Sequence, residues 1–385
     1  MSWIALKMLV GDKGKYFGIL FGLTIASFLI TQQMAIFTGL MTRTFGFITD
    51  SGLADAWVMD PKVQFVDDIK PLQDTQLLRV RGIVGVDWAV PLYKGLLKAR
   101  LENGNFQTCN VVGLDDATLI GGPATMVEGR LEDLRQSQGI IVDEVGARTR
   151  LARRGPDGLP TPLRIGDSLE LNDHRAVVVG LCRVSRTFQS QPVIYTTYAR
   201  ATQFAPRERK LLSFIQIKAK EGVDPAALCA RITTITGLQA LPKEAFIELT
   251  WKYFFKYTGI PVNFGIAVAL GFVVGLAIAG QTFYNFTLEN LKHFAALKAM
   301  GTTNLTLLRM VVLQALFVGG IGYGLGTGLA AWFGSKASAN TELAFRLPWQ
   351  ILAATGVAMA VICTVAALIS LWKVVRLEPA VVFKG

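Results

Sequence analysis

The chain has 385 residues, of which 51% are hydrophobic, and its formal net charge is +11. The hydrophobic residues include four uncharged runs, each longer than the roughly 20 apolar residues with which an α-helix crosses a bilayer. These runs cover residues 16–42, 257–288, 310–335 and 347–372. The composition therefore excludes a wholly water-soluble protein. It predicts one membrane helix, a large water-exposed domain and three further membrane helices.

The basic charge is explained by membrane topology rather than by nucleic-acid binding. Residues 42–258 hold 28 Lys and Arg and 24 Asp and Glu, a net charge of only +4. Most of the other basic residues flank the apolar runs, as the positive-inside rule requires of cytoplasmic segments. We therefore predict that both termini and the 285–309 loop lie inside the cell. The large domain and the 336–346 loop are predicted to lie outside.

The N-terminal segment, residues 1–15, mixes apolar and basic residues and is predicted to form a short cytoplasmic interfacial helix. The first membrane helix follows at 16–42. Its apolar run is longer than that of a signal peptide, and no Ala-x-Ala cleavage site follows it, so we expect an uncleaved helix.

The water-exposed domain, residues 43–256, has the pattern of an α+β fold. Its N-terminal part predicts a strand at 56–60, a helix at 70–81 and an apolar strand at 82–92. Its C-terminal part predicts a strand at 213–219, a helix through 236 and a strand at 237–241. Asp224 and Pro225 supply the N-cap and first position of that helix.

The central section of this domain is rich in predicted strands. Asn172 and Asp173 are typical turn residues between two apolar stretches, so residues 164–184 are predicted to form a hairpin. The two strand–helix–strand units at the ends then predict two subdomains. The central one is inserted into the outer one over roughly residues 105–185.

The four cysteines indicate no metal site. Cys109, Cys182 and Cys229 lie in the water-exposed domain at spacings that resemble no metal motif. Three cysteines allow at most one disulfide within the domain, and buried thiols are the simpler expectation. The pattern does not decide whether a disulfide forms. Cys363 lies in the last apolar run and is expected to be a packing residue.

Within residues 243–258, the stretch 251–257 combines five aromatic residues with two lysines, a composition typical of the headgroup level of a membrane. This pattern favours a helix that leads into the second membrane span. A helix that carries motion between membrane and domain, and a simple interfacial anchor, fit it equally well.

The remaining membrane helices are predicted at 257–286, 306–335 and 347–372, with an external loop at 336–346 and a cytoplasmic tail at 373–385. Rows of small residues permit close helix packing in lipid, and the packing residues predicted on this basis are Gly271, Gly275, Gly320, Gly324 and Gly328. Spacing leaves open which rows pack within the subunit and which between subunits. No charge lies within any run, which argues against ion-coupled transport.

We predict no catalytic, cofactor-binding or metal-binding residue in this chain. The sequence has no GxxxxGK[ST] motif, which excludes nucleotide binding through a P-loop. Its two histidines, His174 and His293, fall on opposite sides of the predicted membrane. A histidine-based zinc site or a Ser-His-Asp triad is therefore poorly supported, and we do not expect an enzyme.

The segment predicted to lie in the cytoplasm, residues 287–305, has the sequence TLENLKHFAALKAMGTTN at positions 287–304. It contains good helix formers up to Met300, and Gly301 is a typical helix stop. One helical face carries Leu291, Phe294, Ala295 and Lys298. On pattern alone, a helix that docks on a cytoplasmic partner and an ordinary connecting loop are equally supported.

The stretch GQTFYNFTLENLKHFAALKAMGTTNLTLLRMVVLQAL, residues 280–316, resembles the core of FtsX-like ABC transporter permeases. The C-terminal VVRLEPAVVFKG resembles the ending of that family, and RIGDSLELNDHRAVVVGL resembles a hairpin of the MacB-type periplasmic domain. The one-plus-three topology is that of the MacB and DevC branch. The GQTFY motif and the chain length resemble those of stand-alone, DevC-like permeases, which have no fused ATPase.

The resemblance implies a multi-pass permease of the bacterial inner membrane with a periplasmic domain. It implies a homodimer or heterodimer that recruits two copies of a cytoplasmic ABC ATPase, which would bind ATP and Mg. Such families work by mechanotransmission, in which closure of the ATPase moves the membrane helices and these move the periplasmic domains. The residues implied in ATPase coupling are Glu289, Leu291, Lys292, Phe294, Ala295, Lys298, Met300 and Gly301.

Three functions are compatible with this resemblance. The preferred one is the permease of a tripartite efflux system with a periplasmic adaptor (a membrane fusion protein) and an outer-membrane channel. The alternatives are a lipoprotein-releasing permease and an FtsX-type transducer that activates a cell-wall hydrolase. The transducer is expected to have a smaller external domain. The cargo and the adaptor are not identified by any pattern in the sequence.

Overall fold

The computed structural model describes residues 13–101, 104–154, 160–206 and 211–375, which fall into two compact units. The membrane unit comprises the chain up to Leu40 and from Gly259 onward. The inserted domain comprises Met41–Thr258. The predicted interfacial helix at 1–15 and the predicted tail at 373–385 lie almost wholly outside the described residues.

The described residues contain ten α-helices, which we number in chain order. They are α1 (Lys13–Asp50), α2 (Asp74–Arg81), α3 (Glu144–Arg148), α4 (Tyr198–Phe204), α5 (Pro225–Thr236), α6 (Lys243–Tyr257), α7 (Ile260–Glu289), α8 (Leu291–Ala299), α9 (Asn304–Asn340) and α10 (Trp349–Val375). A short 3-10 helix covers Leu131–Arg135.

Four of these helices, α1, α7, α9 and α10, are long and apolar enough to cross a membrane. The candidate spans are Tyr16–Asp50, Ile260–Glu289, Asn304–Ala339 and Trp349–Ser370. Together with the α+β inserted domain they confirm the predicted fold class. Helix α1 ends eight residues beyond the predicted 16–42 span, at Asp50. Charged side chains such as Arg43 and Asp50 end the apolar run, but they do not interrupt the helical backbone.

The described residues of the inserted domain form twelve strands. They are β1 (Ala56–Met59), β2 (Val86–Arg100), β3 (Phe106–Leu114), β4 (Thr125–Glu128), β5 (Gly139–Asp143), β6 (Arg153–Arg154), β7 (Pro160–Thr161), β8 (Ser168–Leu171), β9 (His174–Arg183), β10 (Val193–Thr197), β11 (Phe214–Ala219) and β12 (Gln239–Pro242). Ten of them form one sheet in the order β12-β1-β11-β2-β3-β10-β5-β9-β4, with β8 beside β2 and β9. Strands β6 and β7 form a separate pair.

The fifteen-residue strand β2 joins the outer and central parts of this sheet. Its first half, from Val86 to Leu92, pairs with β11, and its second half, from Tyr93 to Arg100, pairs with β3. The two parts are thus continuous rather than separate sheets. The central part also includes β10, which lies beyond the end of the predicted 105–185 insert.

The outer part of the sheet is covered on both faces. Alternate residues Ala56 and Val58 of β1 pack in a core with α2 and α5, through side chains such as Val80 and Ile232. The intervening Trp57 belongs to a second core that also contains residues of α1 and α6. Because both faces are buried, β1 reads as a continuous apolar run rather than as an alternating one.

Two local predictions are confirmed by the backbone. Asn172 and Asp173 adopt positive φ angles of 48° and 66°, and Leu171 pairs with His174 across the β8–β9 hairpin. The Asp224 carboxylate accepts the backbone N–H groups of two residues in the first turn of α5, which Pro225 begins. Both features depend on neighbouring residues alone, which is why the sequence reveals them.

Candidate functional site

The coupling segment, residues 289–301, connects the second and third membrane spans. Helix α8 occupies most of it, and Gly301 follows with a φ of 92°, a conformation that favours glycine. The backbone N–H groups of Gly301 and Thr302 bond to carbonyls of the last turn of α8. The predicted glycine stop is therefore present, and it turns the chain sharply into α9.

Helix α8 presents two different faces. Phe294, Ala295 and Leu297 are buried, and Phe294 and Leu297 pack in the core of the membrane unit with Phe286 and Leu307. Lys292, His293, Ala296, Ala299 and Met300 are exposed, and Met300 has 74% of its surface accessible. The helix is thus anchored by its apolar face and leaves a face with basic residues and a methionine open.

This arrangement corrects two of the predicted coupling residues. Phe294 and Ala295 are fully or almost fully buried inside the subunit, so neither is available for direct contact with a partner. The repeat that marked them as a docking face is the repeat that seats the helix in its own core. Of the other candidates, Glu289, Lys292, Met300 and Gly301 are exposed, whereas Leu291 and Lys298 are half-buried. The sequence analysis missed His293, Ala296 and Ala299.

Two of the predicted packing glycines lie at close helix contacts within the membrane unit. A Cβ atom on Gly275 of α7 would lie 2.6 Å from the Cβ of Ala26 in α1. A Cβ atom on Gly271 would lie 3.3 Å from Cγ1 of Ile30. The absence of a side chain at these positions lets α7 approach α1, as small residues do in membrane helix pairs.

The row Gly320, Gly324 and Gly328 of α9 differs from this pair. Among the described residues, and apart from the adjoining backbone of α9 itself, no atom lies within 4 Å of the position that a Cβ would take on any of the three. The close glycine contacts of α9 with α1 are made instead by Gly322 and Gly326, where a Cβ would lie 2.9 Å and 2.6 Å from side-chain atoms of α1. The row that packs within the subunit is therefore offset by two residues from the predicted row.

The last turns of α1 pack in the core of the inserted domain. Ile48 is completely buried there, and Phe47 packs edge-on against Trp57 of β1 with a centroid distance of 5.8 Å. The ammonium group of Lys94 in β2 lies 5.1 Å from the centroid of the Phe47 ring and pairs with the carboxylate of Asp67. Apolar burial and a cation–π contact thus both hold the last turns of α1.

A polar clasp holds the terminal residue of α1 to the segment after β9. The backbone N–H of Ser185 donates to Oδ2 of Asp50 at 2.7 Å, and the Ser185 hydroxyl donates to Oδ1 at 2.9 Å. One turn earlier, Gly46 lies so close that a Cβ would be 2.7 Å from the Cβ of Ser185. The charged residues after the apolar run were the only sequence signal for this contact.

Helix α6 is rooted in the same core. Phe246, Thr250 and Phe254 are buried at four-residue intervals along one face. Phe246 stacks at a tilt on Trp57, with centroids 5.7 Å apart, and Phe254 lies 5.1 Å from Phe188. Helix α6 ends at Tyr257, three residues before α7 begins. Both helices by which the chain enters and leaves the inserted domain therefore pack on one hydrophobic core.

The cysteines are buried and not bonded to each other. All four are free thiols, and burial raises the pKa of Cys109 and Cys229 to about 12 and that of Cys182 further. Burial also raises the pKa of Asp143, although its carboxylate accepts the N–H groups of Gly146 and Val193 at 2.6 Å. These contacts cap α3 and tie β5 to β10, which is a structural role. Among the described residues no group of His, Cys, Asp and Glu could hold a metal ion.

Two family models match this chain over adjoining parts of its length. The FtsX-like permease C-terminal model matches residues 253–379, and the MacB-like periplasmic core domain model matches residues 17–235. Two relatives from Mycobacterium tuberculosis, in strains CDC 1551 / Oshkosh and ATCC 25618 / H37Rv, are described as uncharacterized ABC transporter permeases. Each is 24% identical over 373 residues, covering 96% of this chain and 93% of the relative.

Solved structures of related domains resemble part of the chain. The periplasmic region of MacB from Actinobacillus actinomycetemcomitans is 16% identical, with a TM-score of 0.37, and the match covers 54% of this chain and 94% of that one. The extracellular domain of the noncanonic ABC-type transporter YknZ from Gram-positive bacteria is 10% identical, with a TM-score of 0.34. That match covers 49% of this chain and 98% of the other.

Proposed function

Because this chain belongs to the FtsX-like ABC transporter permeases that carry a MacB-like periplasmic core domain, we propose that it is an export permease working by mechanotransmission. A separate cytoplasmic ATPase engages the coupling segment, binds ATP and Mg, and closes on ATP. Its closure shifts the membrane helices, and these shift the inserted domain in the periplasm. Since the apolar runs of the four spans carry no charge, they offer no charged path for an ionic cargo, and cargo is handled by the inserted domain.

The observation that carries this proposal is that α1 and α6 pack in the same hydrophobic core of the inserted domain. Helix α1 is unbroken from Lys13 to Asp50, and its last turns belong to the same core as α6. A continuous helix resists bending because each turn is held by backbone hydrogen bonds. Movement imposed on α1 or α6 therefore reaches the core of the inserted domain directly, without a flexible linker at Asp50 or Lys243.

The exposed face of α8 is the proposed contact for the ATPase. It combines Lys292 and His293 with the side chain of Met300 at the end of the helix. Basic groups steer an acidic partner surface, and a methionine adapts to an apolar groove. The buried face holds α8 to the membrane unit through Phe294, so a push on the exposed face is passed to α7 and α9.

The full assembly in this proposal lies in the bacterial inner membrane with both termini in the cytoplasm. It contains two permease copies, two ATPase copies, a periplasmic adaptor and an outer-membrane channel. The test is recovery of the tagged chain from its native cell in nanodiscs, followed by mass spectrometry of bound proteins. An ABC ATPase together with an adaptor supports tripartite export. An ATPase with a cell-wall hydrolase, or without an adaptor, moves the assignment to signalling or lipoprotein release.

Charge reversal provides a sharper test of the ATPase contact. Lys292→Glu is expected to abolish ATPase recovery because it places a carboxylate where an acidic partner surface docks. Lys336→Glu is the matched control, since Lys336 is an equally exposed lysine of the membrane unit at the opposite end of α9. Loss of the ATPase in both variants, or in neither, contradicts the proposed contact. Failure to recover an ATPase with the intact wild-type chain contradicts the function itself.

A further inference from the structure

Helix α6 has an open face whose chemistry the proposed function does not use. While Phe246, Thr250 and Phe254 face the core of the inserted domain, Trp251 and Phe255 stack on each other outside it. Their ring centroids are 4.6 Å apart at an interplanar angle of 21°, and 39% and 48% of their surfaces are exposed. Large aromatic side chains exposed together mark an interaction surface rather than a solvated one.

Basic and amphipathic residues surround this pair. Lys252 and Lys256 are exposed on the same helix, and Tyr257 has 65% of its surface exposed at the end of α6. The ammonium group of Lys256 lies 5.1 Å from the centroid of the Tyr257 ring, and Lys252 pairs with Glu248 at 2.8 Å. We call Trp251, Lys252, Phe255, Lys256 and Tyr257 the aromatic-basic face.

We propose that the aromatic-basic face binds the headgroup layer of a lipid bilayer and prefers anionic phospholipids. Trp and Tyr are enriched at membrane interfaces because one end of each ring is apolar and the other is polar. Lysine ammonium groups near an anionic surface add attraction, and their aliphatic stems lie along the apolar boundary. The face thus carries the three residue types that an interface selects.

The length of the chain keeps this face within reach of a membrane. Tyr257 precedes the first residue of α7, Ile260, by three residues, and Ile260 begins a span apolar enough to cross a bilayer. Three residues cover at most about 11 Å. A second copy of the chain is the less suitable occupant, because lysine is depleted from the cores of protein–protein interfaces.

Spin labelling of the full chain in nanodiscs tests this proposal. A nitroxide label is placed at position 255 through Phe255→Cys, and collision rates are measured with lipid-soluble oxygen and with water-soluble nickel chelate. The native cysteines are buried and remain unlabelled. The control is Leu78→Cys, because Leu78 is 65% exposed on α2, a helix that packs elsewhere in the inserted domain.

The expected result is a higher ratio of oxygen to nickel collisions at position 255 than at position 78. The ratio at 255 should rise further when phosphatidylglycerol replaces part of the phosphatidylcholine, and Lys252→Gln with Lys256→Gln should remove that rise. Equal ratios at the two positions overturn the proposal. So does dipolar broadening between labels at 255, which would identify a second copy as the occupant. Since no ATPase is present, neither outcome depends on the proposed export function.

Discussion

The clasp between Asp50 and Ser185 makes a prediction that can be worked out from its geometry. Replacing Asp50 by Ala removes two hydrogen bonds to a carboxylate, at 2.7 Å and 2.9 Å. Hydrogen bonds to charged groups contribute about 1.5 to 3 kcal/mol, and because both bonds here are exposed we take the lower part of that range, about 1.5 to 2 kcal/mol each. The carboxylate also lies at the negative end of α1, so its removal regains about 0.5 to 1 kcal/mol. The net loss is about 2 to 3.5 kcal/mol.

This loss is expected to appear as local opening rather than as global unfolding, because Ile48 and Phe47 still hold α1 in the core. At 1.4 kcal/mol per factor of ten, the amide of Ser185 should exchange its hydrogen about 30 to 300 times faster. Hydrogen exchange with mass spectrometry in nanodiscs measures it, on a peptide covering residues 180–190, in which Ser185 lies well inside the peptide. Ser185→Ala removes only the hydroxyl bond, so a smaller acceleration of about tenfold is expected.

Asp60→Ala is the matched control for this measurement. The Asp60 carboxylate accepts a backbone N–H, that of Lys62, at 2.8 Å on the surface of the same domain. Its loss should leave exchange at Ser185 unchanged. If Asp50→Ala also leaves that exchange unchanged, the clasp does not hold the end of α1. If Asp50→Ala accelerates exchange but ATP-driven motion of the assembly is unaffected, the clasp is real and does not take part in coupling.

Three further predictions follow from burial and close packing. Phe294→Ala should destabilise the detergent-solubilised protein by about 3 kcal/mol or more, because it empties a buried site. Met300→Ala, at an exposed site, should lie within about 0.5 kcal/mol of wild type in the same thermal assay. Equal effects of the two substitutions would refute the burial of Phe294. Gly326→Leu should abolish a monodisperse size-exclusion profile, because the leucine side chain would overlap α1. Gly324→Leu should leave the monomer folded. The opposite result would refute the assignment of Gly322 and Gly326 as the row that packs on α1. The four cysteines should resist maleimide at pH 8 in the folded protein and react once it is denatured, because all four are buried and burial disfavours the thiolate of the three in the inserted domain. An intact mass lower by two hydrogens would instead reveal a disulfide.

Features that depend on neighbouring residues were predictable from the sequence. The four spans follow from run length, the β8–β9 turn from Asn172 and Asp173, and the start of α5 from Asp224 and Pro225. Each is fixed by a few consecutive residues whose chemistry permits one local conformation.

Features that depend on distant partners were not. The first half of β2 pairs with β11, far later in the chain, and β10 pairs with β3 in the same sheet. The predicted 105–185 insert therefore began after the second half of β2 and ended before β10. Phe294 was predicted to contact the ATPase and is buried instead. The sequence could not distinguish the two, since an apolar repeat fits a helix's own core and a partner's groove equally well. Glycine spacing in α9 likewise identified a packing helix without revealing which of two rows meets α1.

The position of β1 in the sheet has a consequence for how the protein is made. Met59 pairs with Gln239, about 180 residues later, and Val58 pairs with Ile215. At about 5 to 20 residues per second, roughly 10 to 40 s separate synthesis of β1 from synthesis of its last partner. Until β11 is made, both edges of this fully apolar strand lack their native neighbours, and one edge stays open until β12 follows. The core into which Ile48 inserts is incomplete for the same time. A nascent chain of this protein is therefore most vulnerable to aggregation just before its second membrane span emerges.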